Sequence, residues 1–287
     1  MENETLALYN RCFPQYRTTE ECFVRLLEPS GAHIIEARDA DKLIGFAMLH
    51  GNSIALLCVD AVYRAKGYGA SLLCQSEAFV RESGAKDIIL GRGRRYLLQG
   101  VPVDAHNSAV SFFQKHGYRA AWESANMRLS LAAFDKAALT IPTPRETIDY
   151  RFAGEMDRSA LRKAVADAHP SWGHIFESCV DPVMLAMSGG KVVGFQILSP
   201  NGAHFLPNEK VGCIGCVGVI REARKKGIGS RMVAEGADWL KQNGCASIEL
   251  RYVAIVAWYE KMGFSVAGWQ WMGEKQISSE SDILRIL

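Results

Sequence analysis

The chain has 287 residues, 33 of them basic and 31 acidic, for a formal net charge of +2. That length suits two cores better than one, and the charge balance gives nucleic acid no electrostatic footing as a partner. The opening MENETLALYN is acidic where a targeting peptide is basic, and the longest apolar stretch, VGCIGCVGVI at 211–220, is too short to cross a bilayer, so the expectation is a cytoplasmic protein with no membrane partner.

Two short helices, 3–12 and 19–27, open the first half. The runs HIIEAR (33–38) and LIGFAMLH (43–50), joined by turn residues, read as a β-hairpin, and SIALLCV (53–59) as a third strand. A helix follows to about Ser83, with Leu72, Leu73, Phe79 and Val80 at helical spacing and Gly84 as its cap. Then come strand DIILG (87–91), a loop containing QGVP (99–102), a helix over 106–116 ended by Gly117, and strand ESANMRLSL (123–131). Pro142 and Pro144 mark 135–149 as a linker. The second half repeats the order: strand YRF (150–152), helix 157–168, a hairpin over 183–199, a strand near 211–219, a helix to Gln242, strand SIELRYV (247–253), a helix to Met262 and a last strand. Domains are expected at 1–134 and 150–287, each an α+β layer. The tail DILRIL (282–287) has no counterpart in the first half. It is expected to cover the first domain's open edge or to pair with a second copy in a homodimer.

Eight cysteines lie mostly in apolar contexts, as free thiols in a reducing compartment do. Cys213 and Cys216 form C-x-x-C inside a strand-like run with no second ligand pair, so no metal site is expected.

One phrase occurs twice. LCVDAVYRAKGYGASLL (57–73) and VGVIREARKKGIGSRMV (217–233) each give an apolar strand, then Arg-x-x-Gly-x-Gly-small, then a helix. Gly67 and Gly227 lie 160 residues apart, as do Gly69 and Gly229. Glycine lets the backbone reach positive φ and approach a ligand closely. N–H groups at a helix start have no intrahelical partner and sit at the positive end of the dipole, which suits phosphate. Arg64 and Arg224, just ahead of each turn, add positive charge. A Walker loop needs Lys-Ser/Thr after its second glycine, and the dinucleotide fingerprint needs a third glycine where Leu72 and Met232 stand. Neither matches.

The remaining pattern resembles the pyrophosphate loop of the GNAT superfamily, the acyl-CoA-dependent N-acetyltransferases. A second landmark supports it in each half, SFFQKHGY (111–118) and AWYEKMGF (257–264), so the resemblance covers nearly the whole chain as a tandem pair. It implies two domains, each a mixed central sheet flanked by helices, and acetyl-CoA as acyl donor. Pantetheine would lie along Leu57–Val59 and along Val217, Gly218 and Val219. The pyrophosphate would rest on Arg64, Gly67, Tyr68, Gly69 and Ala70 in one copy, and on Arg224, Lys225, Lys226, Gly227, Ile228, Gly229 and Ser230 in the other. Tyr259 would act as general acid toward the leaving thiolate. Its counterpart Phe113 has no proton to give, so the second half is expected to be the catalytic one. Glu249 is the candidate base, with His204 and Glu209 in the loop before the binding strand as further candidates and an ordered water as the alternative. The acceptor is expected to be a small-molecule amine. The competing expectation is a non-catalytic acyl-CoA sensor.

Overall fold

The computed structural model describes residues 4–93, 95–103, 108–202, 205 and 209–277. In chain order the elements are α1 (Glu4–Cys12), α2 (Glu20–Leu27), β1 (His33–Asp39), β2 (Lys42–His50), β3 (Ser53–Val59), α3 (Tyr68–Glu82), β4 (Asp87–Leu90), β5 (Val101–Val103), α4 (Ser108–Lys115) and β6 (Arg119–Ser130). They continue as β7 (Asp149–Phe152), α5 (Arg158–Ala168), α6 (Gly173–Glu177), β8 (Val183–Ser188), β9 (Lys191–Ser199), β10 (Val211–Val219), α7 (Ile228–Gln242), β11 (Ser247–Val253), α8 (Val256–Glu260) and β12 (Ser265–Gln276). Among the described residues no helix is long and apolar enough to cross a membrane.

The chain forms two compact units. One holds the chain up to Ala125, Phe205 and the segment from Gly268 on; the other holds the chain from Asn126 to Ala267 apart from that piece near 205. The domain expectation put 126–134 with the first half and 268–287 with the second. The difference arises because β6 and β12 are twelve-residue strands, each beginning in one unit and ending in the other. The expected tail strand at 282–287 lies outside the described residues.

In the first unit β1, β2 and β3 form an antiparallel meander, β4 joins β3 in parallel, and Glu274–Gln276 of β12 close onto Asp87–Ile89 of β4. β2 is buried on both faces because helices cover both. Phe46 and Met48 point to the core of α1 and α2, while Ala47 and Leu49 point to that of α3. This is the period-two alternation of a central strand. The second unit repeats the plan in the order β6, β11, β10, β9, β8, β7. α5 and α6 cover one face through Val165, Leu185 and Phe195, and α7 covers the other through Val193, Ile228 and Met232.

In both units the strand ahead of the glycine turn parts from its parallel neighbour. β3 pairs with β4 only at Ser53 and Ile54, and β10 with β11 only at Val211–Cys213. A bulge accompanies each opening. The β2–β3 register slips between Met48 and Leu49, and the β9–β10 register slips between Gly215 and Gly218, where Cys216 takes φ 49°. An extra residue on one strand bends it away from its partner, so residues 55–59 and 214–219 each border an open slot.

Candidate active site

The two turns repeat in backbone detail. Each strand runs into a single 3-10 turn, Ala61–Tyr63 or Arg221–Ala223, and then an arginine at φ −67° and ψ 160°. A residue at positive φ follows (Ala65 at 59°, Lys225 at 62°), and then a left-handed glycine, Gly67 at 89° or Gly227 at 81°. α3 and α7 start directly after these glycines, each 15 residues long. Their first backbone bonds are Ser71 N to Gly67 O and Arg231 N to Gly227 O, both 3.0 Å. Among the described residues no backbone N–H of 65–70 or 225–230 donates within the protein. Six donors thus stand without an internal acceptor around the positive end of a helix, an arrangement that suits an anion.

Arg64 and Arg224 are exposed and tie each turn back to its strand. The Nε of each donates to the last carbonyl of its strand, Val59 O at 2.9 Å and Val219 O at 3.0 Å. Arg224 also donates to Ala168 O. These guanidiniums brace the turn while leaving its positive potential in place. Lys225 is exposed, and Lys226 lies 3.4 Å from Glu146. Ile228 is buried against α7's core, and Ser230 stands half-buried on the first turn of the helix. Tyr68 and Ala70 are half-buried at the start of α3, where Tyr68 meets Tyr63 edge-on. Gly69 and Gly229 face an aromatic ring: Phe112 and Trp258 lie 3.6 and 3.4 Å from where a β-carbon would stand.

Those rings belong to α4 and α8, and the next residue in each is the one expected to decide chemistry. Phe113 meets Phe112 and Tyr118 edge-on at 5.2 and 5.5 Å; Tyr259 meets Trp258 and Phe264 edge-on at 4.6 and 5.6 Å. The two positions are the same in structure and differ by a hydroxyl. Burial pushes the Tyr259 phenol above its ordinary pKa, and the nearby thiols Cys213 and Cys216 add to the shift. The phenol is therefore a protonated donor at neutral pH. Cys216, at the bulge of β10, is pushed up to about 12 by burial and by Cys179 and Cys213, so it stays a neutral thiol.

Leu57 and Val59 lie on the part of β3 that stays paired with β2 but has left β4, and Val217, Gly218 and Val219 on the part of β10 that stays with β9 but has left β11, where the Phe195 ring covers Gly218. In the first unit this slot holds a cavity of about 70 Å³ lined by Phe13, Leu56, Leu57, Leu98, Val101 and Phe113. Glu249 stands opposite Cys213 across β10 and β11, with its carboxylate 3.8 Å from Arg251. Arg251 donates to Gly202 O at 2.8 Å and to Cys213 Sγ at 3.6 Å. Glu209 is held by Ser247 at 2.8 Å and by Arg128, which lower its pKa. His204 lies outside the described residues. Sequence reading passed over Arg251, although Glu-x-Arg in SIELRYV puts both side chains on one face of a strand.

Two family models match the chain. The acetyltransferase (GNAT) domain covers residues 2–128 and the acetyltransferase (GNAT) family covers 153–264. The chain belongs to the GNAT family of N-acetyltransferases. It carries the family's domain twice. Mycothiol acetyltransferase of Thermobispora bispora is 29% identical over 260 residues, 83% of this chain and 81% of the relative. That of Amycolatopsis mediterranei is 26% identical over 264 residues, 82% of this chain and 81% of the relative. Among solved structures, a GCN5-related glucosamine N-acetyltransferase region of a fungal multi-domain GH3 β-N-acetylglucosaminidase superposes with a TM-score of 0.82 at 22% identity. It matches 94% of this GNAT chain, which spans 36% of the fungal one. A tandem GNAT protein from the clavulanic acid biosynthesis pathway superposes with a TM-score of 0.71 at 13% identity, over 96% of this chain and 95% of that one.

Proposed function

We propose that the second unit transfers an acetyl group from acetyl-CoA to a primary amine of a small molecule in the cytoplasm, with Tyr259 as general acid. The observation that carries this reading is the matched pair Tyr259 and Phe113, one a half-buried protonated phenol and the other a buried hydrocarbon, each beside a splayed strand and a turn of free amides. The donor fits the residues present. Amides 225–230 would hold the diphosphate, and the unpaired edge of Val217–Val219 would receive the amide groups of the arm. Bound there, acetyl-CoA supplies the acetyl group as an activated thioester. Tyr259 holds its proton where a thiolate would leave, a contribution of about 10²–10⁴-fold in such chemistry. Glu249, at the last residue pair joining β10 to β11 before the slot opens, would take the amine's proton directly or through water, with Arg251 3.8 Å from its carboxylate. The mycothiol acetyltransferase names of the relatives favour a small-molecule acceptor.

The first unit favours the second reading for itself. Its turn is open, with nothing within 4 Å of a β-carbon at Gly67, yet its slot ends in an apolar cavity against Phe113. It is a holder of acyl-CoA rather than a turnover site. Thiol release with an amine panel tests the pair of readings. Tyr259→Phe is expected to lower kcat by about 10²–10⁴-fold with calorimetric CoA binding intact. Gly227→Glu is expected to remove one CoA site per chain, by setting a carboxylate at the turn and driving the Pro142 carbonyl off it. Full turnover in the first variant, or unchanged stoichiometry in the second, overturns the assignment.

A further inference from the structure

The second unit contains a cavity that the chemistry above does not use. It lies between α5 and α6, has a volume of about 390 Å³, and is lined by Arg158, Leu161, Arg162 and Val165 on one side and Phe176, Glu177 and Cys179 on the other. That volume is in the range of small-molecule pockets. Its floor is apolar, with Val165 fully buried in the core shared with Leu161 and Phe176. The floor packs on Phe195, which is fully buried. Phe176 meets Phe195 edge-on at 5.1 Å, and the Phe195 ring covers Gly218 on the part of β10 that has left β11. Cys179, at the rim, lies within electrostatic reach of Cys216 on the same strand.

Arg158 and Arg162 stand one turn apart on α5, so both guanidiniums leave the same face. Among the described residues neither makes a hydrogen bond or an ion pair, whereas Arg151, just ahead of the helix, is fully paired with Asp157 at 2.6 and 2.7 Å. Like charges at this spacing repel each other, and the fold supplies no internal counter-charge beyond Glu177 on the opposite wall. Two arginines and one glutamate leave the lining with a net positive charge. A paired guanidinium wall grips a planar or tetrahedral oxyanion through several N–H donors, and because both arginines are exposed that attraction is one that salt screens.

We infer that this cavity takes the acceptor and that the acceptor carries an anionic group, a carboxylate or a phosphate, which Arg158 and Arg162 hold while its amine reaches past Cys179 to the slot. The inference rests on the reading of the second unit as the transferase. It adds the substrate class.

The test uses the full chain, acetyl-CoA and matched amines: glucosamine against glucosamine 6-phosphate, and ethylamine against β-alanine. The charged member of at least one pair is expected to show a kcat/KM about tenfold or more higher, lost as salt is raised. Which pair responds identifies phosphate or carboxylate. Arg158→Gln and Arg162→Gln are expected to collapse the charged-to-neutral ratio toward one through KM, and Arg162→Lys to restore part of it. Turnover with no charge preference, or a preference that survives both glutamine variants, overturns the inference and leaves the transferase reading standing. If no amine is acetylated, the transferase reading fails, and calorimetric binding of glucosamine 6-phosphate and of β-alanine still tests the cavity. Binding of either that is lost in the double glutamine variant upholds the cavity as an anion site, and binding of neither overturns it.

Discussion

At positions 113 and 259 a single oxygen separates two otherwise matched aromatic residues. Sequence reading reached both residues through the Gly-aromatic landmark, but the burial that chiefly raises the phenol's pKa, and the lesser push from Cys213 and Cys216 more than forty residues away, become visible only in the fold. The sign of that effect is testable. A raised pKa keeps Tyr259 protonated above the ordinary tyrosine value of about 10, so the rate of acetyl transfer is expected to show no alkaline limb from this group between pH 7 and 10. A limb near pH 8–9 that vanishes in Tyr259→Phe would contradict it. Tyr9 and Tyr118 are raised by burial in the same way. The unfolded chain releases these protons near pH 10 while the folded chain keeps them, so the unfolded state binds fewer protons above that pH. Thermal stability is expected to hold from pH 7 to 9 and to fall above about pH 10, as read from the unfolding midpoint. Arg64 and Arg224 teach the converse lesson: their place before the turn was legible, but their bond to a carbonyl five residues back was not, because spacing does not say which way a long side chain folds.

At the scale of the element, the linker is the instructive case. Its prolines announce an extended segment, yet 136–146 is tied to the second unit: Lys136 pairs with Glu235 and Asp238 at 2.7 and 2.9 Å, and Glu146 with Lys226 and Ser188. Pro142 O lies 2.1 Å from where a β-carbon on Gly227 would stand, while Gly67 has no neighbour there. A methyl group at either glycine must accept left-handed φ, at about 1–2 kcal/mol. At Gly227 it must also displace the linker, adding about 1–3 kcal/mol. Gly227→Ala is therefore expected to lower stability more than Gly67→Ala in paired denaturant titrations; equal losses would show that the linker does not press on the turn. The sequence could announce the linker's composition but not its docking, since proline specifies local φ and says nothing about the surface the segment meets.

At the scale of the molecule, β6 and β12 each contribute to both units, and the first unit is completed by a segment from the far end of the chain, Gly268 on. Ending the chain at Ala267 is expected to strip β4 of its antiparallel partner, leaving it paired with β3 alone, and to remove the ion pairs Arg92–Glu274 and Lys275–Glu77. Hydrogen exchange should then lose protection in β2 and α3 while β9 and α7 keep theirs; equal protection throughout would show that the first unit is complete without the segment. The repeated glycine phrase, the family, and the order of strands and helices apart from β5 and α6 were determined by the sequence alone, because turn chemistry and hydrophobic period act over a few residues. The tertiary structure alone decided which unit each end strand completes, where the linker docks, and which side chains meet the two slots. Those depend on contacts between residues far apart in the chain, and a strand's free edge accepts any compatible strand whatever its place in the sequence.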